Sequence, residues 1–435
     1  MQVVVHPQSE PVASPPVRLR LLQLLLGLIC MMAISSPQYV WTLFTKPLRG
    51  ELGVTPAALQ VTFSLLVVLQ TFFSPVQGFL IDRFGPRLLI ATGALLTGLS
   101  WLVASTVTSL LGLYLSYGVL GGLGTGIVYV GVVGLMVRWF PDHRGAACGT
   151  VAAGYGMGAI ITTFPIAHSL ASNGLRHTLA MFGIGFAVIG AVAALGLRTP
   201  PAIASDGALA DHHDTPPARM LRTGLFWLLF VMMTLMSTSG LMITSQMATF
   251  AFDYGLGGAT VLGLAVVPLA LTIDRLTNGL TRPFFGAVSD RIGRENTMAI
   301  AFGLEGCAMV VWMLTLHHPL AFVLLSGVVF FGWGEIFSLF PSTLTDTFGT
   351  RHATTNYGFL YMAQGIGSIL GGPMASLLHQ HTGSWVPVFS VAIVADLTTA
   401  VLAIAVLKPM RRNWSRAGAK AVSYTHLTLP TIYSV

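Results

Sequence analysis

Apolar runs of roughly 20 residues alternate with short polar loops along most of this chain. A helix needs about 20 mostly apolar residues to cross the hydrocarbon of a bilayer. Twelve segments qualify: 20–44, 57–81, 88–107, 110–137, 146–170, 178–197, 224–250, 259–288, 296–316, 320–345, 356–379 and 385–407. The pattern predicts an all-α membrane protein with twelve transmembrane helices, numbered below as spans 1 to 12. A polar, proline-rich stretch at 198–222 separates six spans from six. The predicted layout is a tail at 1–19, a six-helix bundle at 20–197, a linker at 198–222, a second bundle at 223–408 and a basic tail at 409–421.

Composition agrees with the spans. Charged residues are 9% of the chain, against about 25% in an average soluble domain. Apolar residues reach 54%, and the mean hydropathy is +0.76. The 48 glycines suit close helix packing in lipid. Three cysteines, Cys30, Cys148 and Cys307, form no C-x-x-C pair and read as small packing residues. In the linker, His212 and His213 lie among Asp206, Asp211 and Asp214. They read as part of a solvated connection rather than a metal site. The other isolated histidines, His168, His177, His317, His318, His379 and His381, read as surface residues near the loop ends.

The ends are set aside. Residues 1–16 are polar, hold four prolines and lack the order of a cleaved signal peptide. The segment 422–435 resembles the translated end of a sequencing adapter and is read as an artefact.

The net charge is +7, but its placement points away from nucleic acid. Of 22 Lys and Arg, 17 fall in the tails, the linker and the loops after spans 2, 4, 8 and 10. Lys46, Arg49 and Arg176 lie in the opposite loops, and Arg275 and Arg282 lie within span 8. This bias predicts that both termini are cytoplasmic. The expected location is an inner or plasma membrane.

One motif occurs twice, 208 positions apart. Gly78, Asp82, Arg83 and Gly85 recur as Gly286, Asp290, Arg291 and Gly293, in the pattern G-x-x-x-D-R-x-G. Arg87 follows the first copy and Arg294 the second. The glycines permit a tight turn and close helix approach. The aspartates can pair with arginine or cap the next helix. Such a clasp can break and re-form, so these residues are the candidate cytoplasmic gate. A weaker echo follows spans 4 and 10, in Trp139, Phe140, Asp142, Arg144 and Gly145 and in Asp346, Phe348, Gly349 and Arg351. Parallel halves of this kind build transporters with a site between them near mid-membrane.

These features resemble the major facilitator superfamily, whose loop signature is the doubled motif. A narrower resemblance, to the oxalate/formate antiporter family, covers about residues 20–410. It rests on Gln38, Tyr39 and Trp41, on 82–87, on 138–145, on Gly154 and Tyr155, and on 282–286. Further matches are 339–343, 346–350 and 356–359. The resemblance implies a central cavity for an organic anion, walled by aromatics and holding an Arg on span 8 and a Lys on span 11. The Arg matches Arg282. The wall carries over to Gln38, Tyr39, Tyr129, Tyr155, Trp333, Phe337 and Tyr361. At the Lys position this chain has Gln364.

Six ionisable residues fall within spans: Asp274, Arg275, Arg282, Glu305, Glu335 and Asp396. Each is costly in hydrocarbon and is a functional candidate for that reason. A guanidinium binds a carboxylate through two parallel hydrogen bonds and stays charged when buried. At ~100° per residue, Arg275 and Arg282 lie within roughly 20° of one another on span 8. Asn278 and Gly279 lie between them, so this stripe is expected to face a cavity. A carboxyl in an apolar cavity can hold a proton. Glu335 and Asp274, with Arg275 beside the latter, are therefore proton-coupling candidates. The alternative for Glu335 is a salt bridge to Arg275 or Arg282. Glu305 and Asp396 are expected to make helix-packing hydrogen bonds or to contact each other.

A dianion is costly to dehydrate. Gln364 donates hydrogen bonds without charge, so the pocket suits a monocarboxylate held by Arg282. The sequence thus predicts a secondary transporter of small organic anions, working alone as a monomer by carboxylate exchange or proton symport. The alternatives are an oxalate-type dicarboxylate exchanger using Arg275 and Arg282, or a transporter-like ligand sensor. No nucleophile–base set, metal cluster, phosphate loop or cofactor motif is found, so neither an enzyme nor an ATP-driven pump is expected.

Overall fold

The computed structural model describes residues 15–201 and 214–416. The expectations for 1–14, for Asp206, Asp211, His212 and His213, and for the adapter-like segment lie outside the described residues. What is described is almost entirely helical, in two six-helix bundles.

Among the described residues, eight helices are long and apolar enough to cross a membrane, and a bent pair, Pro56–Phe72 with Ser74–Phe84, makes nine. One of the eight, Arg144–Leu195, turns back at Gly174, where φ is 78° and ψ is 176°. It supplies spans 5 and 6. The remaining two are Val266–Ile292 (span 8) and Ala353–Thr382 (span 11), 27 and 30 residues long. At 1.5 Å per residue both exceed the roughly 30 Å of hydrocarbon. Their lower hydropathy has a cause: span 8 carries Asp274, Arg275 and Arg282, and span 11 carries Asn356, Gln364 and two histidines.

Several spans are broken rather than straight, and three of the breaks serve the cavity. Span 1 stops at Ala33 and restarts as the short helix Ser36–Tyr39, with Pro37 at its start. Proline has no N–H to continue the ladder. Span 2 bends by 47° ahead of Pro75. Span 10 is Pro319–Trp333 followed by Ile336–Phe348, separated by Gly334 and Glu335. Span 4 has a π-turn at Tyr114–Leu120.

One boundary is corrected. Span 8 does not begin at 259. Thr260–Val261 pairs antiparallel with Leu264–Ala265. Leu262 and Gly263 turn the hairpin at φ 52° and 78°. The run is apolar enough for a helix, but its glycines favour the turn.

The doubled motif explains how the bundles meet. Gly85 and Gly293 adopt nearly the same backbone, φ 91° and ψ 155° against φ 93° and ψ 153°. Each ends one helix and starts the next in a region that L side chains avoid. Gly78 of the first bundle lies against the Thr354 carbonyl of the second; a Cβ there would come within 2.5 Å of that oxygen. Gly286 of the second bundle lies in the same way against Gly145 of the first. Gly286→Val is expected to push these backbones apart, at the ~1–3 kcal/mol typical of overpacking. Thermal unfolding in detergent checks this. Ala287→Val, one residue along on the exposed face, should leave the midpoint unchanged.

Candidate functional site

Between the bundles lies a cavity of about 270 Å³. Spans 1, 2, 4, 5, 7, 8, 10 and 11 all contribute to its wall. The break in span 1 delivers Gln38 and Tyr39. Tyr129 comes from span 4 and Tyr155 from span 5. Span 8 brings Asp274, Arg275, Asn278 and Arg282 on one stripe. Trp333 and Phe337 come from span 10, and Tyr361 and Gln364 from span 11. The structure thus places all nine sequence-derived binding candidates around a single space.

Arg282 is 2% exposed. Its Nη1 donates to the Ala152 carbonyl at 2.6 Å, across the bundle boundary. Its Nη2 donates to Asn278 Oδ1 at 2.8 Å. Its guanidinium carbon lies 4.5 Å from the centre of the Phe337 ring, a favourable site for a cation. Nε has no partner, and no carboxylate pairs with Arg282 among the described residues.

The aromatic wall is continuous. Tyr129 stacks on Tyr361 at 4.7 Å and meets Tyr155 edge-on at 5.1 Å. Tyr39 meets the other edge of Tyr155 at 5.5 Å. Trp333 spends its N–H on the Met236 carbonyl at 2.8 Å, which fixes its ring beside the cavity. The Gln364 side chain is 8% exposed, and its Oε1 has no partner.

Asp274 and Arg275 both line the cavity. Asp274 is buried and Arg275 exposed, and they form no ion pair with each other. Adjacent side chains on a helix diverge by about 100°. Glu335 departs from expectation. It is fully buried, lies off the cavity, and pairs with neither Arg275 nor Arg282. Trp333 and Phe337 stand two residues to either side and face the cavity. A residue midway between them points to the opposite side of the helix. Glu305 and Asp396 act on each other electrostatically, in keeping with the second of the two contacts expected of them. Their carboxyl oxygens make no hydrogen bond of full geometry among the described residues; glycines and further acid lie close by, with the Ser239 hydroxyl the one donor near Asp396.

At the motif end, the aspartates seal the seam. Asp82 pairs with Arg138. Its Oδ2 also accepts from Thr355 N at 2.8 Å and Thr355 Oγ1 at 2.7 Å, at the start of span 11. Asp290 accepts from Gly145 N at 3.0 Å and Ala146 N at 2.9 Å, at the start of span 5. Each aspartate therefore caps a helix of the other bundle. Arg294 pairs with Asp290 and Asp346, and Arg144 also reaches Asp346 at 2.6 Å. Three gate candidates are corrected: Arg83, Arg87 and Arg291 are exposed and take no part in these ion pairs. When Asp82 and Asp290 face the seam, the next residue turns away from it. The partners are Arg138, Arg144, Arg294 and Asp346.

The fold, the doubled clasp and the cavity match a known family. Its model, described as the Major Facilitator Superfamily, matches residues 24–273 and 267–429. The chain belongs to the major facilitator superfamily. It is a multi-pass membrane protein of transporter type. The oxalate:formate antiporter of Oxalobacter formigenes is 33% identical over 394 residues, 89% of this chain and 92% of that relative. An uncharacterized MFS-type transporter of Escherichia coli (strain K12), YhjX, is 28% identical over 81% of this chain and 86% of its own. Monocarboxylate transporter 13 of Bos taurus is 27% identical over 76% and 75%.

Sequence reasoning missed Gln70 of this major facilitator protein. Its Nε2 donates to Tyr155 OH at 3.0 Å and to Tyr361 OH at 3.4 Å, and Tyr155 OH donates to Gln38 Oε1 at 2.5 Å. One amide thus ties phenols from both bundles. An amide within an apolar span was the available signal. Thr71, Thr244 and Ser368 of the wall were also missed.

Asp82→Asn combined with Asp290→Asn should loosen the sealed end. With the native cysteines removed, a cysteine at Ser368 should then react faster with a thiol reagent applied from the motif side. Arg291→Ala should leave that rate unchanged.

Proposed function

We propose that this protein carries small organic anions across the membrane by alternating access, with the two bundles rocking about the central cavity. One observation carries the reading: Arg282 lines that cavity, buried, with no carboxylate of its own. A buried cation without a fixed counter-ion is costly, and a mobile anion removes that cost. The relatives named above for oxalate, formate and monocarboxylates agree with it.

The substrate is a monocarboxylate. Arg282 takes the carboxylate, and the neutral Gln364 with the tyrosine hydroxyls meets the rest of the molecule. The basic loops put the motif end and both termini in the cytoplasm, in an inner or plasma membrane. The described conformation is closed on that face by the clasp. Transport proceeds by exchange or by proton symport, with Asp274 the carboxyl at the cavity itself. The carrier works as a monomer.

A second reading is favoured by a specific observation. Arg275 lines the same cavity without an ion partner. Two guanidiniums would suit a dicarboxylate.

Uptake of labelled formate, lactate, pyruvate and oxalate by reconstituted vesicles tests both readings. Arg282→Ala should cut uptake about 10- to 150-fold, from the ~1.5–3 kcal/mol of a charge-assisted hydrogen bond. Unchanged uptake would remove the site. Gln364→Lys should raise oxalate over lactate. If Arg275→Gln instead abolishes oxalate uptake that the native protein shows, the dicarboxylate reading prevails. Counterflow in vesicles also excludes a sensor.

A further inference from the structure

Three carboxyl groups lie inside the second bundle, and none of them belongs to an ion pair among the described residues. Glu305 on span 9, Glu335 at the break in span 10 and Asp396 on span 12 are each 0% exposed. Among the described residues none of these carboxyl oxygens makes a hydrogen bond of full geometry; the Ser239 hydroxyl comes near Asp396 and the Glu335 backbone N–H near its own carboxyl, while Glu305 has no donor near it. The three are neighbours. Asp396 and Glu335 act electrostatically on Glu305, and Asp396 and Arg282 act on Glu335. Two glycines let them approach. A Cβ at Gly332 would lie 2.6 Å from Glu305 Cβ, and one at Gly306 would meet Asp396 Cβ at 3.4 Å. From span 7, Ser239 stands beside Asp396, its hydroxyl donating to the Ala392 carbonyl at 3.4 Å.

Ionised carboxylates at such a place would be stripped of water without compensation. A shared metal ion is one remedy. Among the described residues, however, no three acidic, histidine or cysteine side chains converge closely enough to hold one. Hydrogen ions need only two acids side by side. A proton on one carboxyl turns that oxygen into a donor for its neighbour, as when two acids share a site. Buried acids with so few donors around them are what remains when the missing donors are hydrogens on the acids themselves.

We infer that Glu305 and Asp396 form a proton-holding pair, reached from the cavity through Glu335, that carries hydrogen ions together with the anion. The path follows from span 10. Trp333 and Phe337 face the cavity on either side of the break, while Glu335 between them lies off the cavity and within electrostatic reach of both acids of the pair. Gly334, next to it, lies against the Asn278 backbone carbonyl. Asn278 in turn holds Arg282 through its side chain. An anion that draws Arg282 off Asn278 therefore acts on the backbone beside Glu335. Each proton adds to a carboxylate oxygen when taken up on one face and leaves that oxygen on the other. No other bond changes. The site differs from Asp274, which lines the cavity. The coupling rests on the anion-carrier reading; the bound proton does not.

The test uses full-length chain in vesicles, with labelled lactate and formate as probes. A pH gradient should drive accumulation by the native protein. Glu305→Gln and Asp396→Asn should each lose that accumulation and keep counterflow at equal pH. Native protein that exchanges the anion yet shows no pH-driven accumulation, or amide variants that retain the accumulation, would overturn the inference. A second arm needs no transport. Infrared spectra of the purified native protein should show a carboxylic-acid carbonyl band at about pH 7, shifted in deuterium oxide. Each amide variant should weaken it. Absence of the band in native protein overturns the proposal even if a variant fails to fold. A band present without any anion uptake would retain the proton site and discard only the carrier reading.

Discussion

A guanidinium in the middle of a membrane protein must be met by oxygen. Arg282 satisfies this with the Ala152 carbonyl of the other bundle and the Asn278 amide of its own helix. The first contact is possible only because spans 5 and 8 lie unusually close: a side chain at Gly149 would collide with the Arg282 backbone. The small residues of span 5 therefore do two things. They let the helices touch, and they give the charge a borrowed partner while no anion is present. A carboxylate bound as proposed would compete for the same N–H groups. Binding chemistry and the contact between bundles are thus one negotiation over a single side chain.

The clasp repeats this economy on a larger scale. Two copies of a short sequence place an aspartate at the seam, and each caps the first turn of a helix belonging to the opposite bundle. The caps use partial charges that any helix start possesses. They therefore hold well in one arrangement and release without leaving a structural charge stranded in lipid, since the exposed loops admit water. The arginines around them add pairing across spans 2 and 4 and across spans 5, 9 and 10.

Length and apolarity made the twelve crossings legible, because the hydrocarbon sets a length that few other constraints impose. The wall residues were legible through the resemblance, taken together. Direction was harder to read. Glu335 looked like a cavity acid by proximity in sequence, yet the spacing of Trp333 and Phe337 already assigned it to the far face. Arg138 as the partner of Asp82 lies 56 residues away, beyond any local rule. The hairpin at 260–265 reads as membrane helix by hydropathy alone. Pairing across distance, and which way a side chain points, are properties of packing, and a single chain encodes them only jointly.

Gln70 has two amide hydrogens, and here both are committed: one to a phenol of its own bundle, the other, through the longer bond, to a phenol of the opposite bundle. When the bundles part on this side, the longer bond is the one that yields. Parting of the bundles there would free one amide hydrogen while the bond to Tyr155 stays. The amide of one residue thus joins a strong tie within a bundle to a weak tie between bundles.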